Sequence, residues 1–389
     1  MNPRLAIVIP TRNRQSYCDQ AVRQVLGACS LDCEVVVYDN SDTRELEKLL
    51  ADLSDSRLKY FYDSDTLSFV DNFSRAVGAA KADYVCVIGD DDGVLPTLCG
   101  AVDIMRDKGI DALVPSINVA YFWPSEHPII PGGGEGYLNL AFLKYSTRVL
   151  SPEQGLADLM RNAAQNYQSL DIPRLYHGIV SRSCLEAVIR RTGHLFGGLT
   201  PDMYISVALS NVCKKVVRID VPLTISGISP KSGSAQSATG EHTGELSMAP
   251  HFKGHGDYVW SEKVPRFYSV QTIWADTALH ALSEFGRQDL VDAFNVARMA
   301  AIARCDYRRF DAITKAYIIE HRVGALRLAL ECAGYLNGKY VKRLLKRLVR
   351  RKGEVLKFYH VPDIAGAERI ILQHVDQGRT LDALGRVSA

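Results

Sequence analysis

The sequence predicts an α/β protein: a mostly parallel sheet with helices on both faces, followed by a helical C-terminal extension. Two observations predict the sheet. Short apolar runs alternate with helical patterns from Leu5 to Ile88, a βαβαβαβ series. Each of the first, second and fourth runs also ends in polar residues, at Thr11, Asp39 and Asp90–Asp92. In open α/β sheets such carboxyl ends line one crevice, where ligands bind. A third observation predicts the extension: from Phe267 onward the pattern is helical.

The elements follow in order. Leu5–Ile9 is a buried strand stopped by Pro10, and Thr11–Arg14 is a polar loop. A helix from about Ser16 to Ala28 turns Val22, Val25 and Leu26 inward, with Ser16 as its cap. Glu34–Tyr38 is the second strand, ending at Asp39-Asn40-Ser41-Asp42, and a helix runs from Thr43 to about Leu53. Leu58–Tyr62 is a third strand, Phe69–Ala80 a helix and Tyr84–Ile88 the fourth strand.

The fourth strand runs into Gly89-Asp90-Asp91-Asp92-Gly93. Three adjacent carboxylates repel unless a cation sits among them. Carboxylate oxygens are the ligands that Mg²⁺ and Mn²⁺ prefer. A solvated acidic turn is the plainer reading of the same residues. Two phosphate-binding devices are missing: no GxGxxG follows the first strand, and no GxxxxGK[ST] occurs in the chain.

Composition is that of an ordinary globular protein. The 389 residues are 47% hydrophobic and 23% charged, with net charge +2, so no overall field argues for nucleic acid. Nine Cys without CxxC pairs suit reduced thiols in the cytoplasm. Cys18, Cys86 and Cys184 read as packing residues. The first strand starts almost at once, so no signal peptide is expected, and no apolar run is long enough to span a bilayer.

The ordered set Ile7–Arg14, Val35–Ser41, Asn72, Ala80 and Tyr84–Pro96 resembles family 2 glycosyltransferases of the GT-A fold. That resemblance implies a nucleotide-diphosphate sugar donor, most commonly a UDP-sugar, a divalent cation (Mn²⁺ or Mg²⁺) and inversion at the anomeric carbon. It implies that Thr11 and Arg14 line the nucleotide, that Asp39 contacts the base and that Asn40 flanks it. It puts Asp90 near the ribose and the metal on Asp91, with Asp92 as a supporting acid or further ligand. Gly89 stands where many members have an Asp, which leaves the division of labour among the three open. Arg75, on the preceding helix, is a candidate for the base or phosphates.

Further along, Leu98–Met105 is a helix and Asp111–Phe122 a strand region bent at Pro115. Pro131–Gly136, with three consecutive Gly, is a loop, either over the site or a plain surface insertion. Arg174–Ser181 is read as a strand, with His177 placed to bind acceptor hydroxyls or simply to sit half-buried. Thr200-Pro201-Asp202 opens a helix, where the dipole favours a carboxylate. The resemblance makes Asp202 the catalytic base, with Pro201 in place of the family's usual Glu. Lys214–Ile219 is an edge strand, and the Ser-, Gly- and His-rich stretch from Ser226 offers Lys231 to the diphosphate. His242, His251 and His255 are read as exposed.

Helical segments are expected at about 270–285, 288–304, 308–333 and 338–352. In Lys339–Lys352 eight of fourteen residues are Lys or Arg, and Val341, Leu344, Leu345 and Leu348 share one face. A basic amphipathic helix of this kind suits either an anionic lipid surface or packing of its Leu face on the protein with the basic face in water. The expected layout is a catalytic domain over 1–225, a flexible active-site segment over 226–265 and a helical region over 266–389. The expected function is inverting transfer from a nucleotide-diphosphate sugar to a glycan or lipid-linked acceptor in bacterial surface polysaccharide synthesis, without nucleic acid. The expected working place is the cytoplasm, either free or at the inner face of its membrane. The alternatives are a non-catalytic nucleotide- or glycan-binding module of the same fold and a nucleotidyltransferase, which usually opens with a Gly-rich basic loop absent here.

Overall fold

The computed structural model describes residues 3–130, 132–141, 143–230, 243–246, 252, 258–351 and 355–387. Its main sheet is built on β1 (Leu5–Thr11), flanked in parallel by β2 (Cys33–Asp39) and β4 (Tyr84–Val87), with β3 (Leu58–Tyr62) parallel to β2. Side chains of β1 alternate between two cores. Leu5, Ile7 and Ile9 face one, and Ala6 and Val8 face the other. That period of two, with every residue buried, is what a strand covered on both faces requires. Helices α1 (Gln15–Ala28), α2 (Glu45–Leu49) and α3 (Phe69–Ala79) make the crossovers. Ser68 caps α3 through the Asp71 amide at 3.0 Å.

Beyond β4 the order continues through β10 (Ile179–Ser181), β6 (Ala112–Pro115), β11 (Val216–Ile219) and β9 (Thr147–Val149). β10 runs antiparallel to both its neighbours. β11 was expected at the edge, but β9 pairs along its outer side. The strand expected over 111–122 is two strands in two sheets, because the chain leaves the first after Pro115. The second sheet runs β15 (Val355–Tyr359), β8 (Tyr137–Ala141), β7 (Val119–Phe122), β12 (Thr224–Ile228) and β5 (Gly93–Val94). A short antiparallel pair, β13 (Thr243–Gly244) with β14 (Tyr268–Ser269), precedes the C-terminal helices. Helices α4 (Thr97–Asp107), α5 (Pro152–Arg161), α6 (Arg182–Thr192) and α7 (Pro201–Ser210) complete the sheet-bearing part.

The C-terminal third is not helical throughout. Helices at Val270–Glu284, Val296–Asp306 and Asp311–Glu320 lead into a long one at Ala325–Arg351, which passes the break expected near Gly334. The chain then returns as β15 against β8, and helices Ile364–Leu372 and Gln377–Gly385 bury Ile364, Ala367, Ile371 and Leu384 in the same core as α1 and α4. The Gly-rich loop lies against this returning segment, and its Gly133 shares a hollow with Trp123, Ile228 and Pro230. A Cβ on Gly136 (φ +92) would stand 1.8 Å from the Val361 carbonyl oxygen.

Candidate active site

The acid turn sits where β4 ends, and it is not a solvated turn: Asp90, Asp91 and Asp92 are 4%, 4% and 1% exposed. Buried carboxylates are costly unless partnered, and the partners divide the three. Asp90 accepts from Thr11 Oγ1 at 2.6 Å and pairs with Arg14 Nη1 at 2.9 Å. Asp91 pairs with Arg14 Nη2 at 2.6 Å and accepts the Ser229 amide at 3.0 Å. Arg14 also donates to Ser229 Oγ. The guanidinium thus bridges two acids and ties the first loop to the end of β12.

Asp92 faces elsewhere. Its Oδ2 accepts from the Gly89 amide at 2.6 Å and Tyr176 Oη at 2.7 Å and lies 3.2 Å from His177 Nε2, while its Oδ1 accepts from the Gly227 amide at 2.7 Å. The expectation of Asp92 as a metal ligand is therefore revised: its oxygens are engaged in holding the turn to β12 and to the 176–177 segment. The titration of the three acids splits the same way. Burial pushes Asp90 up to about 7 against the pull of Arg14. Asp91 rises through burial and the Asp92 charge. Burial acts upward on Asp92 too, but His177, the Gly227 amide and Tyr176 outweigh it and hold that carboxyl below its usual range.

His177 corrects two expectations. Residues 174–178 are not a strand: Tyr176 makes a single bridge to Val87, His177 is left-handed (φ 56), and a Cβ on Gly178 would meet the Arg174 carbonyl oxygen at 1.9 Å. The imidazole is buried with both nitrogens engaged, Nε2 toward Asp92 and Nδ1 with Thr224 Oγ1 at 2.8 Å. It positions Asp92 instead of presenting a free edge to an acceptor.

The remaining expected residues form the rim of the same crevice. Asp39 is buried, with Oδ2 accepting from Tyr60 Oη at 2.9 Å and Oδ1 from the Ser41 amide at 2.9 Å. Asn40 braces the loop after β3 through the carbonyls of Asp63 and Asp65, at 2.9 and 2.5 Å. Asn72 donates to the Thr11 carbonyl at 3.3 Å. Arg75 is exposed and pairs with Asp63, so it stands at the edge with its charge already met. Lys231, His242, His251 and His255 lie outside the described residues.

Asp202 opens α7 behind Pro201 and lines a small hollow with Phe73, Leu175, Tyr176 and Phe196. Tyr167 Oη donates to its Oδ2 at 2.7 Å. Burial raises this carboxyl, opposed by Tyr167 and the first-turn amides. Tyr176 connects the two acids' surroundings, since it lines this hollow and also donates to Asp92. Tyr167, Tyr176, Gly227 and Ser229 escaped the sequence reading. For Tyr176 the available signal was an aromatic-His-Gly string after Leu175.

The donor set fits a divalent cation. Asp90 and Asp91 offer hard oxygens, their carboxyls are raised, and Arg14 is the guanidinium that meets them. Among the described residues buried Arg14 Nε and Asn72 Oδ1 find no partner, so this part of the crevice has polar capacity to spare.

Residues 6–124 match the family model described as glycosyl transferase family 2. The chain is 26% identical over 109 residues to GalNAc(5)-diNAcBac-PP-undecaprenol beta-1,3-glucosyltransferase of Campylobacter jejuni, covering 27% of this chain and 34% of the relative. It is 28% identical over 97 residues to WcaA of Escherichia coli K12, by name a colanic acid biosynthesis glycosyl transferase, covering 24% and 35%. The chain thus matches about a third of the length of these relatives. Among solved structures, Staphylococcus aureus TarS 1–349 in complex with UDP-GlcNAc has a TM-score of 0.45 at 14% identity, covering 86% of this chain and 92% of that one. The mannosyltransferase PcManGT of Pyrobaculum calidifontis, in complex with GDP-Man and Mn²⁺, has 0.39 at 14% identity, covering 88% of each.

Proposed function

We propose, from the family 2 glycosyl transferase domain at residues 6–124, that this chain is a metal-dependent inverting glycosyltransferase. Its donor would be a nucleotide-diphosphate sugar, with a UDP-sugar first among the candidates, and its acceptor a glycan or lipid-linked glycan. The observation that carries the reading is the buried pair Asp90–Asp91 with raised carboxyls at the end of β4. Asp91, with Asp90 beside it, would hold Mn²⁺ or Mg²⁺, which when bound supplies charge neutralisation for the diphosphate.

The chain's own residues do the rest. Thr11, Asp39, Asn40 and Asn72 shape the nucleotide side of the crevice, and Arg14 serves the diphosphate. Asp92, anchored by His177, Tyr176 and Gly227, fixes the turn. Asp202 takes the proton of the acceptor hydroxyl as that oxygen bonds to the anomeric carbon and the bond to the diphosphate breaks on the opposite face. Its raised carboxyl makes it a stronger base than an ordinary aspartate. We keep a catalytic part over 1–225 and a separate segment over 226–265 as part of this reading, while the part from 266 is not helical alone, because β15 joins β8 and the last two helices share the core of α1 and α4.

A thermal-shift panel of UDP, GDP, TDP and CMP, each with and without Mn²⁺, tests the donor site. One nucleotide is expected to raise Tm only with Mn²⁺, and Asp91→Ala to abolish the shift. No shift with any nucleotide would overturn the donor site. Binding with no release of diphosphate from any sugar donor would favour a binding module instead.

The helix Ala325–Arg351 exposes Leu326, Leu330, Leu336, Tyr340, Val341 and Leu344 next to the basic run 339–352. No helix among the described residues is long and apolar enough to cross a membrane. We place this helix on an anionic leaflet, the inner face of the cytoplasmic membrane. Co-sedimentation with phosphatidylglycerol vesicles checks it. Arg350→Ser with Arg351→Ser should weaken binding by about 1 kcal/mol per residue, and equal binding to neutral phosphatidylcholine would refute it.

A further inference from the structure

At the amino end of the sheet, away from the acid turn, three cysteines converge. Cys29 ends α1, Cys33 opens β2 and Cys99 lies in the first turn of α4. Their sulfurs all lie within 4.8 Å of one another, and Cys33 Sγ is 3.4 Å from Cys99 Sγ. Among the described residues no other trio of His, Cys, Asp or Glu brings its ligand atoms so close. We propose that Cys29, Cys33 and Cys99 form a binding site for a thiophilic cation, Zn²⁺ foremost.

The metrics suit that ion. Zinc about 2.3 Å from each sulfur sets tetrahedral sulfurs roughly 3.8 Å apart, so the trio needs only small side-chain rotations to close on one. Cys29 and Cys33 are separated by three residues, within the spacing that structural zinc sites use. The ligands come from a helix end, a strand start and a second helix, and one ion would clamp all three. Cys29 and Cys33 are buried, while Cys99 is half-buried and leaves a side for entry and for a water as fourth ligand.

The backbone around one of the three favours negative charge. Cys99 sits in the first turn of an eleven-residue helix, where the dipole supports negative charge. Arg57 donates to the Cys29 carbonyl at 2.5 Å, though Asp55 holds the other side of its guanidinium. Ser30 Oγ stands 3.6 Å from Cys33 Sγ and donates to Asp32 at 2.5 Å.

The test uses the reduced 389-residue chain and Co²⁺ alone as probe. A near-ultraviolet thiolate-to-cobalt charge-transfer band should saturate at one equivalent and be displaced by Zn²⁺. It should persist in Asp91→Ala, whose missing ligand belongs to the carboxylate site, and vanish in Cys33→Ser and Cys99→Ser. Should those variants not fold, alkylation of the wild type decides: Zn²⁺ should slow labelling of Cys29, Cys33 and Cys99 and leave Cys305 and Cys332 unchanged. Absence of the band in wild type, its survival in Cys99→Ser, or unaltered labelling of the trio would overturn the site. So would a metal-free chain that loses two hydrogens to a Cys33–Cys99 disulfide and takes up no Co²⁺ after reduction.

Discussion

The acid turn and the start of α7 both hold aspartates, buried at the turn and half-buried at α7, yet they are built on opposite principles. At the turn, three carboxylates crowd together, and each carboxylate is set by something specific: Thr11 and Arg14 for Asp90, Arg14 and Ser229 for Asp91, four groups for Asp92. At α7 a single carboxylate stands in an apolar hollow with one phenol on it. The first arrangement concentrates negative charge that a cation can meet. The second isolates one group whose protonation state can change alone. Metal binding and proton transfer, the two tasks proposed for these sites, would be separated by surroundings, since the residue type is the same.

That contrast breaks most sharply at Asp202. Asp202→Asn should lower kcat by about 10²–10⁴-fold while leaving the Mn²⁺-dependent nucleotide shift intact. Asp91→Ala should do the reverse to binding. Single-turnover transfer beside the thermal-shift measurement separates the two, and loss of nucleotide binding in Asp202→Asn would refute the division of labour.

A smaller effect tests the anchoring of the turn. A Cβ at Gly227 would stand 1.7 Å from the Asp91 carbonyl oxygen and 3.0 Å from Trp123 Nε1, which donates to that same carbonyl at 2.9 Å. Strand β12 must move to admit it, and the bond from the Gly227 amide to Asp92 is then lost. Gly227→Ala should destabilise the chain by about 1–3 kcal/mol and weaken nucleotide binding, read by urea unfolding and the same panel. Unchanged stability would show that β12 does not hold the turn.

The two regions were not equally legible in the sequence. Strands β1, β2 and β4 announce themselves as apolar runs, and three consecutive Asp announce the turn. What holds the turn does not: Tyr176, His177 and Gly227 lie far along the chain, and no local period places them beside Asp92. The left-handed backbone at His177 disguised a bend as a strand, because Leu175, Tyr176, Ile179 and Val180 around it are residue types that strands take. The return of β15 onto β8 was hidden for a related reason. Its five residues follow a long helix, and their pairing partner is more than two hundred residues upstream. The thiol trio is likewise a tertiary fact, with Cys33 and Cys99 separated by 66 positions.

The finest distinction lies in the one phenol on Asp202. Burial raises the carboxyl, and the Tyr167 hydroxyl opposes it by donating to the charged form. Transfer should therefore rise with pH as Asp202 loses its proton, with an acidic limb above the ordinary carboxylate range. Tyr167→Phe removes the donor, so the limb should move to still higher pH with little change in the plateau. In stability the sign is opposite. A carboxyl raised on folding favours the folded state at low pH, and that contribution is lost as pH rises from the unfolded value through the folded one. Tyr167→Phe should widen that window, so urea midpoints should fall further between acid and neutral pH than in the parent chain. A limb that moves to lower pH in Tyr167→Phe would mean that the phenol stabilises the neutral acid, and Asp202 would then be held protonated instead of poised to accept a proton.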